Sequence, residues 1–344
     1  MGLLDHFVTE EDLEDRLSRP NEADIECCRR LDGDLLVLGA GGKMGPSLVR
    51  RIVRALAAAG VSRRVYAVSR FPSRGGRQAL DAAGATTVVC DLLEPDNVAS
   101  LPDCPNVLFL AGRKFGSTDN TALTWAINTV VPVNVAQRFR SSRLVVFSTG
   151  NVYPFVPISS GGSVETDEPA PRGEYAQSCL GRERVFEHFS HRFGTPTLLF
   201  RLNYAVDLRY GALVDVARAV EANQPVDCTV SHLNAIWQGD ASSYAIRALE
   251  GCTAPPRVLN VSGPETLSVT ELAAFFGRRF GVRPVFRGEP SGQALLTNAS
   301  ACHEWLGPPE VTAGELIDAV AAWLERGGRT LDKPTRFEVT DGAF

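Results

Sequence analysis

The sequence predicts an α/β protein, a doubly wound parallel sheet with a smaller C-terminal lobe. Three observations carry this. Short apolar runs recur, as at Leu35–Leu38 and Val65–Val68, with no charged residue to face water, so their strands must be covered on both faces. Between the runs lie stretches with apolar residues at helical spacing, so strand and helix alternate. A glycine-rich turn, Gly39-Ala40-Gly41-Gly42-Lys43-Met44-Gly45, joins the first run to the first of these helices. At 344 residues the chain is long enough for one large domain or two closely joined ones.

Residues 1–33 read as a helical extension, in which Thr9 and Asp12 cap Glu10–Leu17 and Ser18-Arg19-Pro20 ends the helix. Leu35–Leu38 is the first strand. Ser47–Ala59 places Leu48, Ile52 and Leu56 on one helical face, and Val65–Val68 completes a βαβ unit. Thr87-Val88-Val89 leads to Asp91, and Val107–Leu110 leads to Ala111 and Gly112. A helix is expected over Leu123–Phe139, a fifth strand at Leu144–Phe147, a helix over Tyr175–Arg192 and a sixth strand at Thr197–Arg201. After about residue 205 the rhythm loosens into a strand at Val258–Val261 and helices over Ser268–Phe280 and Thr312–Leu324. A polar, irregular tail ends the chain.

Composition narrows the function. Hydrophobic residues make up 44% and charged residues 22%, an ordinary globular balance. No apolar run is long enough to span a bilayer, and the acidic start lacks the charge pattern of a secretory signal. The net charge of −5, without a dense Lys/Arg cluster, speaks against a nucleic-acid partner. Eight scattered cysteines read as thiols in a reducing cytoplasm, and the vicinal Cys27-Cys28 pair cannot easily close a relaxed disulfide. Five histidines without an H-x-x-x-H pair suggest no metal site. A small-molecule substrate is the expected partner.

The glycine turn has a strand before it, a helix after it and a second strand about twenty residues on. Glycines there let backbone N–H groups approach a pyrophosphate, helped by the helix N-terminus, so Gly39, Gly42, Lys43, Met44 and Gly45 are candidate cofactor-binding residues. The second strand ends at Ser69-Arg70, without the acid that would hold a ribose 2′-hydroxyl. Arg70, with Lys43 and Arg74, can pair instead with a 2′-phosphate, which favours NADP over the alternative, NAD.

From about Leu35 to Leu324 the sequence resembles the extended short-chain dehydrogenase/reductase family, the NAD-dependent epimerase/dehydratases, with a Rossmann-type fold. The marks are the Gly39, Gly42, Gly45 spacing; Cys90-Asp91-Leu92; Leu110-Ala111-Gly112; Ser148-Thr149-Gly150-Asn151-Val152-Tyr153; Glu168-Pro169; Tyr175-Ala176-Gln177-Ser178; and Arg201-Leu202-Asn203-Tyr204. The resemblance implies a dinucleotide-binding domain at 34–205, a substrate-binding lobe at 206–330 and a tail at 331–344. It places Thr149 as the hydroxyl that bonds the reacting oxygen and Tyr175 as the proton donor or acceptor. It puts Asp91 and Leu92 beside the adenine, Ala111 and Gly112 beside the ribose, Asn203 at the cofactor, and Asn128 in the active-site wall. Lys114, Asn151, Tyr204 and Trp237 are the candidate substrate contacts, Trp237 as a platform for a sugar ring. Family habit implies a homodimer through helices at 121–139 and 175–192.

Three departures qualify the resemblance. The family lysine four residues after the tyrosine is Cys179 here. Another cation can substitute, with Lys114 or Arg113 nearest by topology; or Tyr175 acts as a hydrogen-bond donor only; or the chain is a cofactor-binding sensor without turnover. Gly150-Asn151 stands where the dehydratases carry an acidic pair. Leu233 stands where nucleotide-sugar enzymes offer an arginine, with Arg209 as the possible compensation. The expected activity is therefore hydride exchange at a secondary carbinol of a small sugar, sugar acid or polyol, with a nucleotide-sugar epimerase as an alternative.

Overall fold

The computed structural model describes residues 9–71, 74–114, 116 and 119–342. Seven parallel strands form one sheet: β1 (Leu35–Leu38), β2 (Val65–Ser69), β3 (Thr86–Val89), β4 (Asn106–Phe109), β5 (Arg143–Thr149), β6 (Thr197–Leu202) and β7 (Arg257–Val261). Their spatial order is β7-β6-β5-β4-β1-β2-β3. The chain reverses direction of winding between β1 and β4, so a crevice opens at the carboxyl ends of those two strands.

Strand side chains alternate between two faces, and both are buried. Leu35 and Val37 join a core with Leu108, Val145 and Leu198 on one side. Leu36 and Leu38 join Val107, Phe109 and Val146 on the other. Helices α3 (Gly45–Ala59) and α10 (Gln238–Arg247) cover the first side; α7 (Val131–Arg138) and α8 (Gly173–Phe193) cover the second. In the lobe a third core gathers around α9 (Ala212–Glu221), α11 (Val269–Phe280) and α13 (Ala313–Glu325). Between these lie the short helices α4 (Arg74–Ala82), α5 (Pro95–Ala99), α6 (Thr121–Trp125) and α12 (Ser300–Leu306).

The N-terminal segment forms α1 (Glu10–Ser18) and α2 (Glu22–Arg30). Thr9 and Asp12 make a reciprocal capping box, as do Asn21 and Asp24. Leu13 and Leu17 are buried in the lobe core, and Cys27, Cys28 and Leu31 in the sheet core. Asp24, fully buried, meets Arg51 of α3 at 2.6 Å and accepts from Ser243 of α10 at 2.6 Å. Cys27 and Cys28 are free thiols, and burial pushes Cys28 up to about 12.

The helix expected over Leu123–Phe139 is not one regular helix. Between α6 and α7 the residues Ala126–Val130 form a wide π turn, closed by the Val131 N–H on the Ala126 carbonyl. Pro132, early in α7, has no N–H to give the carbonyl four residues back, which removes one regular bond at this point. Among the described residues of the tail, 327–342, there is no helix or strand, yet Thr335 and Phe337 are buried in it.

Candidate active site

Gly39 follows β1 with φ of 88°, and its Cα faces the loop after β4 so closely that a Cβ would lie 2.8 Å from the Ala111 nitrogen. A Cβ at Gly45 would lie 2.3 Å from the Ala40 carbonyl oxygen. The turn is thus a bare backbone cradle opening on α3, the feature a dinucleotide pyrophosphate requires. Ser69 borders it, since a Cβ at Gly41 would lie 2.7 Å from Ser69 Oγ. Arg70 is largely exposed and reaches Asp91 only at 3.9 Å. Asp91 accepts from the Leu93 N–H, while Leu92 is buried in the core on the α7/α8 side.

Beyond the turn a pocket of 230 Å³ lies between the sheet edge, the lobe and the tail. Of the predicted residues it brings together Lys43, Met44, Lys114, Thr149, Asn151, Tyr175, Asn203 and Tyr204. Thr149 ends β5, and its Oγ1 accepts from the Asn151 backbone N–H at 3.2 Å and side-chain N–H at 3.0 Å. Tyr175 sits in the first turn of α8, half-buried, hydrogen-bonded to Thr149 and to the Cys179 thiol. Burial raises its phenol well above the ordinary value, while the Arg182 charge and the Thr149 bond act to lower it. Asn203 is buried and donates to Asn234 Oδ1 at 2.9 Å, tying the sheet edge to the lobe. Tyr204 adopts a left-handed φ of 42° where the chain leaves the sheet.

Lys114 places its Nζ 5.8 Å from the centre of the Tyr175 ring and donates to the Thr335 carbonyl at 3.1 Å. Burial lowers its pKa to about 8. Arg113 points elsewhere, donating to the Gly116 carbonyl. Lys43 does not face Arg70: its ammonium lies 3.7 Å from the Tyr210 ring centre and 3.3 Å from the Ala205 carbonyl, on the catalytic side of the turn. That corrects its expected pairing with a 2′-phosphate.

Three further expectations are corrected. Trp237 is buried in the lobe core that also holds Leu13 and Leu17, and is absent from the pocket wall, so it is core rather than a sugar platform. Asn128 is fully buried in the π turn and braces the site from behind. Its Oδ1 accepts from the Arg113 N–H and from Arg182, and its Nδ2 donates to the Arg113 carbonyl and to Ser178 Oγ. Arg209 is held by Asp207 and Glu14 at 2.7 Å each and by Glu10 at 3.6 Å, so it compensates for nothing at Leu233. Leu233 itself is buried core.

Sequence reasoning missed Tyr210, Thr335 and Arg182. Tyr210 and Thr335 come from irregular segments with no motif. Thr335 closes the pocket because its N–H and Oγ–H both donate to Asp215, at 2.7 and 2.6 Å. Among the described residues no set of three His, Cys, Asp or Glu side chains converges as metal ligands, and no helix is long and apolar enough to cross a membrane.

Fold and site together define a class: a doubly wound protein that presents a dinucleotide cradle next to a threonine–tyrosine pair. The family model for the NAD dependent epimerase/dehydratase family matches residues 35–206, half of the chain. The chain belongs to that family and is a nicotinamide-dinucleotide-dependent enzyme. Among solved structures it is similar to UDP-glucose 4-epimerase of Thermus thermophilus in complex with NAD, with TM-score 0.68 and 20% identity over 85% of this chain and 99% of that one. It is also similar to UDP-glucuronic acid 4-epimerase of Bacillus cereus in complex with NAD, with TM-score 0.70 and 17% identity over 85% and 99%. No curated protein matches the chain in sequence.

Proposed function

We propose an NAD(P)-dependent oxidoreductase or epimerase that acts on a secondary hydroxyl or ketone of a small sugar acid. The observation that carries this reading is the pocket itself. It offers two lysines, Lys43 and Lys114, whose pKa values burial lowers to about 7 and about 8, and no carboxylate in its wall, so an anionic substrate is favoured and would hold both in their charged form. Its 230 Å³ falls below the roughly 300–1,000 Å³ of sites for drug-sized ligands. Leu233 and the fully engaged Arg209 supply no arginine at the place where the family's nucleotide-sugar enzymes offer one to the diphosphate, which weighs against a nucleotide sugar.

The glycine turn would hold the dinucleotide, with Ser69 and Arg70 toward its adenosine and Ala111 and Gly112 toward its ribose. When bound it accepts or returns a hydride at the substrate carbon. Tyr175 donates its phenolic proton to the substrate oxygen on reduction and takes it back on oxidation, while Thr149 holds that oxygen by a hydrogen bond. Arg70, exposed and only loosely paired, supports a preference for NADP(H). A homodimer through the helices at 121–139 and 175–192 is part of the same proposal.

The test is turnover on a panel of aldonates, uronates, neutral aldoses, alditols and UDP-sugars with NADP+, read by absorbance at 340 nm for net oxidation and by proton NMR of the products for epimerisation, which leaves the cofactor's redox state unchanged. Turnover confined to the acids supports the reading. Turnover confined to UDP-sugars refutes it, and tight cofactor binding without turnover on any member favours a sensor.

A further inference from the structure

We infer that Arg182 provides the positive charge beside the nicotinamide that Cys179 cannot provide, from one helical turn further along α8. This rests on reading the glycine turn as the seat of a nicotinamide dinucleotide. Cys179 stands four residues after Tyr175 and is fully buried against Val152 and Tyr153. Its neutral thiol brings no charge to the site. Arg182 lies three residues on, on the same helical face, and helical side chains lean back toward the N-terminus, here toward Tyr175.

Among the described residues three arginines are buried: Arg51, Arg182 and Arg201. Arg51 and Arg201 are each paired with a buried carboxylate, Asp24 at 2.6 Å and Glu183 at 2.7 Å. Arg182 is bonded only to neutral acceptors. Its Nη1 donates to the Phe147 carbonyl at 2.8 Å and its Nη2 to Asn128 Oδ1 at 2.7 Å, and its Nε is buried without a partner. A buried charge without a counter-charge opposes folding, and two neutral acceptors and the Phe109 ring, its centre 5.8 Å from the guanidinium carbon, offset only part of that cost, so its retention points to a role outside the fold. The reason lies in what it touches. The guanidinium rests against Gly112, where an added Cβ would lie 2.5 Å from Nη2, and Gly112 is exposed at the crevice. The missing side chain makes room for the cation directly beneath the cofactor's edge.

Arg182 acts there as a positioning residue too. It fixes Asn128, which clamps both backbone groups of Arg113 and so aims the neighbouring Lys114 at Tyr175. Arg113 itself is turned to Gly116, and Lys114 is engaged with Thr335 on the tail side of the pocket.

NADP+ and NADPH differ by one positive charge on the nicotinamide ring, so the ratio of their dissociation constants reads the local potential. A purely structural loss weakens both alike. Calorimetry on Arg182→Met should show a shift of about tenfold or more in favour of NADP+ over NADPH relative to wild type. Arg182→Lys should keep the wild-type ratio, and Cys179→Lys combined with Arg182→Met should restore it. An unchanged ratio in Arg182→Met overturns the inference. If Arg182→Met does not fold, the double variant decides, because a ratio displaced toward NADP+ there overturns it and a wild-type ratio supports it. Failure of the wild-type protein to bind either form would overturn the cofactor reading instead.

Discussion

Replacing Gly39 by alanine tests whether the glycine turn is built as the fold requires. Two separate costs follow from its geometry. At φ of 88° an alanine is strained, by about 1–2 kcal/mol. Its Cβ would also sit 2.8 Å from the Ala111 nitrogen and 3.0 Å from the Ala111 Cα. Those are backbone atoms that cannot rotate aside, so the overpacking adds about 1–3 kcal/mol. The expected destabilisation is about 2–5 kcal/mol, a large share of the roughly 5–15 kcal/mol by which domains are stable. Gly42→Ala is the control, since the sole neighbour of its Cβ is the Gly39 carbonyl oxygen at 3.2 Å and its φ is not left-handed. That variant should lose about 1 kcal/mol or less of stability, yet bind the dinucleotide at least about tenfold more weakly, because the methyl group occupies the phosphate's approach. Urea unfolding with linear extrapolation measures the first effect and calorimetry the second. A Gly39→Ala protein within about 0.5 kcal/mol of wild type would refute the geometric argument.

Three other outcomes are expected. Wild-type protein should bind NADP(H) more tightly than NAD(H), and Arg70→Ala should erase the difference; equal affinities before the substitution, measured by calorimetry, would count against the arginine. Tyr175→Phe should lower kcat by about two to four orders of magnitude on a true substrate while cofactor affinity changes little. Burial raises the Asp215 carboxyl from 3.8 to about 6, so the folded state holds a proton that the unfolded chain releases. Stability from this group is complete below 3.8 and is lost as pH rises toward 6, and Asp215→Asn should flatten the pH dependence of urea unfolding across that window.

The sheet was legible because burial on both faces makes a strand's residues uniformly apolar, and the expected strands at Leu35–Leu38 and Val258–Val261 lie within one residue of those observed. Helix interruption at Ala126–Val130 was not, since amphipathic spacing runs straight through a π turn and Pro132 is tolerated near a helix start. In the site, Thr149 and Tyr175 stood in recognisable local motifs. Trp237 misled because a large aromatic near a site and one in a core have the same sequence signature. Lys43 was assigned to the wrong end of the cofactor because sequence fixes where a lysine's Cα lies but not where four methylenes carry its charge. Arg182 and Thr335 depend on contacts 54 and 120 residues distant along the chain, which no local pattern encodes.

The first helices of the chain have partners that are made late. Asp24 waits for Ser243, 219 residues further on, and Asn21 donates to Glu310, 289 residues further on. At about 5–20 residues per second, a ribosome needs on the order of 10–45 s to produce Ser243 after Asp24 has been added. During that interval Leu13, Leu17 and the buried carboxylate of Asp24 have no complete berth, since the lobe that receives them does not yet exist. A nucleotide half that folds as it emerges therefore does so with its first helices seated on α3 alone, through Arg51 and the sheet core. The arm's other side is left open, and it joins the two cores only once nearly the whole polypeptide has been made.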